Sequence, residues 1–162
     1  MIHLRLLTIS DLPEVLRVQR GAYHEVFHEP SGTFTKKLSL FPPGALGCFD
    51  DGALGAYLFC HPWVAGEIVS LKAISLELPE RPTCLYIHDL AVAPGYRGRG
   101  LAALLADEAF ELARTLRLPA CALVSVQGSE TFWERLGFVV RKEMNYLPGV
   151  SARYMIKDVP IF

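Results

Sequence analysis

The stretch LYIHDLAVAPGYRGRGLAALL, residues 85–105, changes its chemical character abruptly at Pro94. Before Pro94 the chain is a run of aliphatic residues that carries the pair His88-Asp89. After it come three glycines and two arginines, and then an Ala/Leu-rich segment of the kind that forms helices. The pattern predicts a buried strand, a glycine-rich loop and a helix in direct succession.

The glycine-rich loop has the features of a phosphate site. A loop between a strand and a helix directs backbone N–H groups toward the positive end of the helix dipole. Gly98 and Gly100 permit close backbone approach, and Arg97 and Arg99 add charge-assisted contacts to a diphosphate. A tight surface turn with solvated arginines is the alternative. The GKS/T ending of a P-loop is missing and the glycine spacing is the reverse of the dinucleotide fingerprint, which argues against a kinase or a Rossmann dehydrogenase.

The composition indicates one globular domain over residues 1–162, because 51% of the residues are hydrophobic. The formal charge of -1, with Lys and Arg spread along the chain, argues against nucleic-acid and membrane partners. Four scattered cysteines without a C-x-x-C pair predict buried, reduced thiols and a cytoplasmic protein. The start of the chain does not resemble a signal peptide, and no apolar run reaches the roughly 20 residues of a membrane span.

The remaining elements are predicted from turn signals and periodicity. We expect a strand at 3–10, a helix that starts after Ser10-Asp11, a short helix and irregular loop within 24–46, and a hairpin around Asp51-Gly52. Residues 61–83 are hard to assign, with at most a helical turn or two in VSLKAISL, residues 69–76. Beyond them we expect strands at 84–93, 120–126 and within 138–147 and 152–159, and helices at 100–117 and 129–136. The fold class is therefore α/β, with a mixed sheet of six or seven strands.

Two segments carry a resemblance to a known family. LAVAPGYRGRGLA, residues 90–102, resembles the acetyl-CoA motif R/Q-x-x-G-x-G/A of the GCN5-related N-acetyltransferases (GNAT), which follows an L-x-V-x-P strand. QGSETFWERLGF, residues 127–138, is similar to the family's late FYxxLGF segment. The two motifs lie within residues 85–140, about a third of the chain, in the family's order and at its separation. The resemblance implies a mostly antiparallel sheet in which a parallel strand pair, here 84–93 and 120–126, splays apart.

The resemblance also implies acetyl-CoA as the cosubstrate and names the backbone that would hold it. The pantetheine arm and the acetyl carbonyl would pair with the strand edge formed by Leu90, Ala91 and Val92. The pyrophosphate would bind the amides of the loop and the helix start, which are contributed by Arg97, Gly98, Arg99, Gly100, Leu101 and Ala102. No metal is expected.

Acetyl transfer to an amine needs a neutral nitrogen, an oxyanion donor and a route for protons. Val92 N–H is the candidate oxyanion donor. His88 is the first candidate for the proton path because it titrates in the useful range, and a strand histidine has that role in the arylalkylamine branch of the family. A hydrogen-bonded core histidine is the alternative. In a regular strand Asp89 points to the opposite face, although a bulge could redirect it, or it orients a loop.

Trp133 stands where many members of the family have a tyrosine directed at the coenzyme sulfur. An indole N–H can donate a hydrogen bond but cannot give up its proton at accessible pH. We expect Trp133 to pack beside the thioester, with the thiolate leaving as the anion or taking a proton from water or the product ammonium. A role as a core residue that covers the short helix is the alternative.

The segment around residues 23–28 is predicted to shape the acceptor pocket, with Tyr23, His24, Phe27 and His28 facing it or simply packing. His24-Glu25-x-x-His28 also spells H-E-x-x-H, the zinc signature of metalloproteases when it lies on a helix. Pro30 and Gly21 argue against a sustained helix there. A zinc metalloprotease is therefore a remote alternative.

These observations predict an enzyme that transfers the acetyl group of acetyl-CoA to a primary amine of a small molecule or peptide, by direct attack in a ternary complex. A non-catalytic acyl-CoA-binding or regulatory module of the same fold is the alternative. Besides acetyl-CoA and the amine acceptor we expect no nucleic-acid or membrane partner, and either a monomer or a homodimer.

Overall fold

A computed structural model of the chain describes residues 1–70 and 76–160. Its strands are β1 (Ile2–Leu6), β2 (Ala45–Asp50), β3 (Ala53–Trp63), β4 (Cys84–Val92), β5 (Ala120–Ser125), β6 (Val139–Leu147) and β7 (Val150–Asp158). Its α-helices are α1 (Leu12–Ala22), α2 (Ser31–Leu40), α3 (Leu101–Thr115) and α4 (Glu130–Arg135). The helical turn considered within VSLKAISL falls mostly on residues 71–75, outside the described residues.

The strands form one sheet in the order β1-β2-β3-β4-β5-β7-β6. Each neighbouring pair is antiparallel except β4 and β5, which run parallel. The predicted mixed, mostly antiparallel sheet of six or seven strands is therefore confirmed, with seven strands. The predicted hairpin is confirmed too, because Asp51 and Gly52 join β2 to β3 with φ values of 48° and 92°, which the primed hairpin turns require.

The helices cover the two faces of the sheet because each has one apolar side. α1 directs Leu12, Val15 and Val18 onto the face that it shares with α2. α3 packs on the other face through Leu105, Ala106, Ala109, Phe110 and Ala113, whose spacing follows the helical period. Two apolar clusters result, one on each side of the central strands, and a third cluster lies around Tyr86, Ala122 and Tyr154.

The four cysteines, Cys48, Cys60, Cys84 and Cys121, are buried and unpaired, as the sequence predicts. Burial raises the pKa of each of their thiols, so that they stay protonated at neutral pH. In the described part of the chain, no helix combines the length and apolar character that a membrane crossing needs.

Candidate active site

The parallel strands β4 and β5 separate halfway along their length. They pair only through Leu85 with Cys121, Tyr86 with Ala122 and Ile87 with Leu123. β4 nevertheless continues to Val92 and β5 to Ser125. The gap between them opens into a cavity of about 240 Å³ that is lined by the ends of both strands.

A β-bulge in β4 decides which side chains face this cavity. β3 pairs Phe59 with Asp89 and the next residue, Cys60, with Ile87, so His88 is the extra residue. Without the bulge, Asp89 would share the face of Ile87, which packs under α3. With it, Asp89 lies toward α1 and α2. The redirection considered for Asp89 is thus present in the structure.

The backbone of β4 presents hydrogen-bond donors to the gap. Ala93 N–H donates a 2.8 Å hydrogen bond to Gly55 O of β3. The N–H and C=O groups of Ala93 and Ala91 therefore face β3. The N–H and C=O groups of Leu90 and Val92 consequently face the gap between β4 and β5. The Leu90 carbonyl already accepts a 2.6 Å hydrogen bond from the Tyr23 hydroxyl. The N–H groups of Leu90 and Val92 therefore remain for a ligand, whereas Ala91 contributes only its position in the cavity wall.

The glycine-rich loop leads directly into α3. Gly98 and Gly100 have φ values of 79° and 77°, in the left-handed region that glycine tolerates. Gly100 is the N-cap residue and has no side chain that could cap the first amides of the helix, which stay available to an anion. Arg97 and Ala102 line the cavity. The arrangement suits a phosphate group at the mouth of the gap.

Two residues of the predicted loop set are turned elsewhere. The Arg99 guanidinium lies 4.9 Å from the centre of the Tyr96 ring and 3.7 Å from an Asp50 carboxylate oxygen. The Leu101 side chain is buried in the core. Only the backbone of these two residues is placed to serve an anion, and an Arg99 contact to a diphosphate would require the side chain to leave Asp50.

Asp89 belongs to a buried charged cluster. Its Oδ2 lies 3.3 Å from the Tyr57 hydroxyl and 3.8 Å from Lys37 Nζ, and Lys37 Nζ lies 2.6 Å from Glu29 Oε1. Burial raises the pKa of the Asp89 carboxyl to about 6, against the opposing effect of Lys37 and with a contribution from Glu29. Near neutral pH this carboxylate can accept a proton from a ligand.

His88 lines the same cavity but is otherwise isolated. Neither of its ring nitrogens has a hydrogen-bond partner among the described residues, and its ring centre lies 6.2 Å from that of His61 and 6.0 Å from that of Tyr86. Burial lowers the pKa of the His88 imidazole well below its ordinary value, and Lys37 and His61 add to the effect. His88 is therefore neutral at physiological pH, with one donor and one acceptor nitrogen.

Aromatic side chains form part of the cavity wall. Tyr23 and Phe27 line it, as does Tyr146 of β6. His24 and His28, which the sequence predicts to face the pocket, do not line it. His24 is exposed and accepts a hydrogen bond from Val26 N, and His28 Nε2 lies 2.7 Å from Tyr23 O.

The H-E-x-x-H segment lacks the geometry of a zinc site. Glu25–Phe27 is a single 3₁₀ turn rather than an α-helix, so the two imidazoles do not share one helical face. Within residues 1–70 and 76–160 no group of three or more His, Cys, Asp or Glu side chains could hold a metal ion.

Trp133 contacts both the cavity and the hydrophobic core. It lines the cavity, and its ring packs at 4.9 Å from Phe132 and 5.3 Å from Phe138 within the core under α4. Only 6% of the residue is exposed. Both predicted roles, a wall beside the thioester and a core anchor, are compatible with this position.

Sequence reasoning missed four residues that help to build the cavity: Glu29, Lys37, Gln127 and Tyr146. Gln127 connects the segment after β5 to the end of α1, since its Oε1 accepts a 2.7 Å hydrogen bond from His24 N and its Nε2 donates to Ala22 O. Gln127 opens the quoted segment 127–138 but lies outside the FYxxLGF pattern itself, and the other three residues stand in no recognisable motif. No Asp or Glu lies three or four residues from Lys37, so the sequence does not predict an ion pair on α2. Only the tertiary contacts of Lys37 identify its role.

Comparison with known proteins places the chain in a family. The sequence model of the acetyltransferase (GNAT) family matches residues 12–138. Ard1 from Thermoplasma volcanium has a TM-score of 0.78 at 16% identity, with 98% of both chains covered. The ribosomal-protein-S18-alanine N-acetyltransferase from Escherichia coli has a TM-score of 0.75 at 14% identity, with 100% of this chain and 96% of that chain covered.

A third solved structure, the GNAT-like decarboxylase GphF in complex with isobutyryl-CoA, has a TM-score of 0.86 at 14% identity and covers 98% of this chain and 100% of its own. At these identities the structures establish a common fold. Comparison with curated proteins gave no match. The family model spans well over half of the sequence and agrees with the fold, and the chain therefore belongs to the GNAT acetyltransferase family.

Proposed function

We propose that this protein is an N-acetyltransferase that moves the acetyl group of acetyl-CoA to a primary amine of a small molecule or peptide. The observation that carries the proposal is the cavity between β4 and β5. It joins the amides of Leu90 and Val92, the phosphate-binding loop and the buried Asp89 carboxylate in one space. These are the parts that thioester binding and amine activation require.

The two ends of the cavity suit the two substrates. At the loop end, Arg97 and the first amides of α3 would hold the pyrophosphate of acetyl-CoA. The Leu90 and Val92 amides would pair with the pantetheine arm and the acetyl oxygen, as a peptide pairs with a strand edge. Tyr23, Phe27 and Tyr146 would surround the acceptor.

The charges of the cavity favour an amine over an anionic acyl substrate. Asp89 and Glu29 line it at the acceptor side, and the lining cation, Arg97, lies in the phosphate-binding loop. Carboxylates attract an ammonium and repel the carboxylate of a group that is to be decarboxylated. The charge distribution thus supports amine acetylation more than the decarboxylation named for the neighbour GphF.

In this proposal the acceptor loses a proton before it attacks. Asp89 and the neutral His88 are the groups in the cavity wall that can take that proton directly or through water. The Val92 N–H would stabilise the oxyanion formed on the thioester carbonyl. Trp133 would pack beside the sulfur, which leaves as the thiolate. The free, buried cysteines support a reducing compartment, and we place the reaction in the cytoplasm.

Thiol release tests the proposal. Purified protein is given acetyl-CoA and a panel of primary amines that includes aromatic amines, polyamines and peptides, and free CoA thiol is measured. We expect release that saturates with at least one amine and falls about 10²-fold in Asp89→Asn. Saturable binding of acetyl-CoA without release for any amine would favour the non-catalytic module instead.

A further inference from the structure

The charged cluster behind the acceptor cavity contains two carboxylates and one ammonium. Lys37 Nζ is 2.6 Å from Glu29 and 3.8 Å from Asp89, and the exposed fractions of the three side chains are 6%, 1% and 8%. Three charges seldom leave water together unless their geometry compensates for the lost hydration. Their arrangement in this cluster calls for a structural or chemical reason.

The fold holds each member of the cluster from a different element. Gln19 of α1 fixes the backbone of Glu29, because its Nε2 donates to Glu29 O at 2.9 Å and its Oε1 accepts from Glu29 N at 2.8 Å. Lys37 extends from α2, with the Phe34 ring centre 4.9 Å from its ammonium. The bulge at His88 turns Asp89 toward both. Glu29, Lys37 and Asp89 are therefore preorganised rather than brought together by chance side-chain motion.

The cluster carries one negative charge in excess when all three groups are ionised. Lys37 Nζ is more than an ångström closer to Glu29 than to Asp89, so its positive charge mainly compensates the carboxylate of Glu29. Asp89 and Glu29 line the cavity, whereas Lys37 stands behind them and is not part of the lining. The side of the cluster that faces the cavity is thus negative, and a cation bound there would complete the charge balance.

We propose that Lys37 and Glu29 form a positioning pair that keeps Asp89 available to bind the protonated amine of the acceptor and to take its proton. The inference rests on the proposed acetyltransferase function and deepens it, because it assigns to Lys37 and Glu29, which stand in no motif of the sequence, the control of the charge on Asp89. Lys37 anchors the cluster, and Glu29 prevents Lys37 from neutralising Asp89.

The proton balance is simple. The ammonium R–NH₃⁺ gives one proton to the Asp89 carboxylate, and the neutral amine attacks the thioester carbonyl carbon. The C–N bond forms, the C–S bond breaks and the electron pair leaves with sulfur. The second nitrogen proton reaches the thiolate, directly or through water, and the Asp89 proton returns to solvent. The sum is an amide, CoA thiol and one released proton.

The other titratable groups that face Asp89 do not change their charge over the working pH range. They are the hydroxyls of Tyr23 at the end of α1, Tyr57 on β3 and Tyr146 on β6. Burial raises the pKa of all three hydroxyls, and they are neutral over the working range. His88 is neutral as well. The charges that act on Asp89 are therefore those of Lys37 and Glu29.

Two variants should shift the acidic limb of the pH profile of kcat/KM, the range in which kcat/KM rises with pH, in opposite directions. Lys37→Met removes the cation nearest to Asp89, raises the pKa of that carboxyl and moves the limb to higher pH by roughly one unit or more. Glu29→Gln removes a like charge and frees Lys37 to pair with Asp89, which moves the limb to lower pH. The same variant should raise the KM for the amine, since Lys37 would then neutralise Asp89.

The experiment measures thiol release against pH for the wild type, for both variants and for Lys36→Met, which removes a lysine charge from the exposed side of the same helix. Lys36→Met should leave the limb in place. The carboxyl ¹³C resonance of Asp89, assigned with Asp89→Asn, should titrate with the same opposite shifts. Because this signal does not depend on turnover, it tests the pair even if the wild type acetylates no amine, a result that would end the proposed function alone.

Shifts in the same direction in both variants, or unchanged titration of Asp89 in both, would overturn the inference. Breaking a buried ion pair destabilises a fold, whereas replacing both partners is tolerated better. If Lys37→Met does not fold, the double variant Lys37→Met with Glu29→Gln takes its place, and its Asp89 titration should lie above that of Glu29→Gln alone. Equal titration in these two proteins would contradict the role of Lys37.

Discussion

The Tyr23 hydroxyl donates a 2.6 Å hydrogen bond to the Leu90 carbonyl, and this contact connects the end of α1 to β4 at the point where β5 has separated. The bond occupies the Leu90 carbonyl, which would otherwise face the gap beside the Leu90 and Val92 amides. At Leu90 the strand edge therefore offers its N–H to a ligand while its carbonyl is already hydrogen-bonded, and at Val92 both the N–H and the carbonyl face the gap. A residue predicted to contact the acceptor thus also shapes the site of the cosubstrate.

Tyr23→Phe should lower the free energy of unfolding by about 1 kcal/mol, because it removes the hydrogen-bond donor of a partly buried carbonyl. It should also lower turnover, since the Leu90 carbonyl would then face the acyl group. Urea denaturation and thiol release measure the two effects. Wild-type stability in this variant would show that the bond contributes nothing to the fold.

Gly100→Glu should abolish acetyl-CoA binding while the protein stays folded. The new side chain would place a carboxylate at the N-terminus of α3, where phosphate is expected, on a backbone with φ 77°. Gly66→Glu is the matched control: it adds the same charge at a positive φ of 91°, also with open space around it, just after β3, which ends beside the start of β4 and therefore at the end of the sheet opposite to the loop. Calorimetry with acetyl-CoA should show binding to the control only, and equal affinity of both variants would exclude the loop as the phosphate site.

His88 should make stability depend on pH. Because burial lowers the pKa of its imidazole in the folded protein, the unfolded chain binds more protons below about pH 6.5. The free energy of unfolding should then fall as the pH drops from about 7.5 to 6, and His61, whose pKa is also lowered by burial, acts in the same direction. His88→Gln should flatten this dependence in urea denaturation, and an unchanged slope would assign the effect to other groups.

Trp133→Tyr should raise kcat if the ring faces the sulfur, because a phenol can give a proton to the leaving thiolate and an indole cannot. Trp133→Phe should change kcat little, since a phenyl ring keeps an aromatic wall beside the cavity and the lost indole N–H donates no proton to the thiolate. Steady-state thiol release separates these cases. A loss of stability in both variants without any gain in kcat for Trp133→Tyr would leave Trp133 with its core contacts to Phe132 and Phe138 alone.

Local sequence features determined the elements of this fold. Pro13 in the first turn of α1, Asp51-Gly52 between two strands and the glycines before α3 each act within a few residues, through fixed φ values and missing side chains. The predicted strand at 84–93 and helix at 100–117 accordingly match β4 and α3 within two residues at each end. The glycine-rich loop and its family motif could be recognised in the same way, because the residues that form them are consecutive in the sequence.

The tertiary structure alone decided what faces the cavity. The bulge at His88 arises from the pairing of β4 with β3, and a shift of one residue exchanges the two faces of a strand, so no pattern in β4 itself could place Asp89 beside α2. Lys37 and Glu29 meet Asp89 across 52 and 60 residues of sequence and are buried only because they meet. Sequence specifies local conformation through short-range sterics, whereas the charge and the donors of this site depend on long-range register and desolvation.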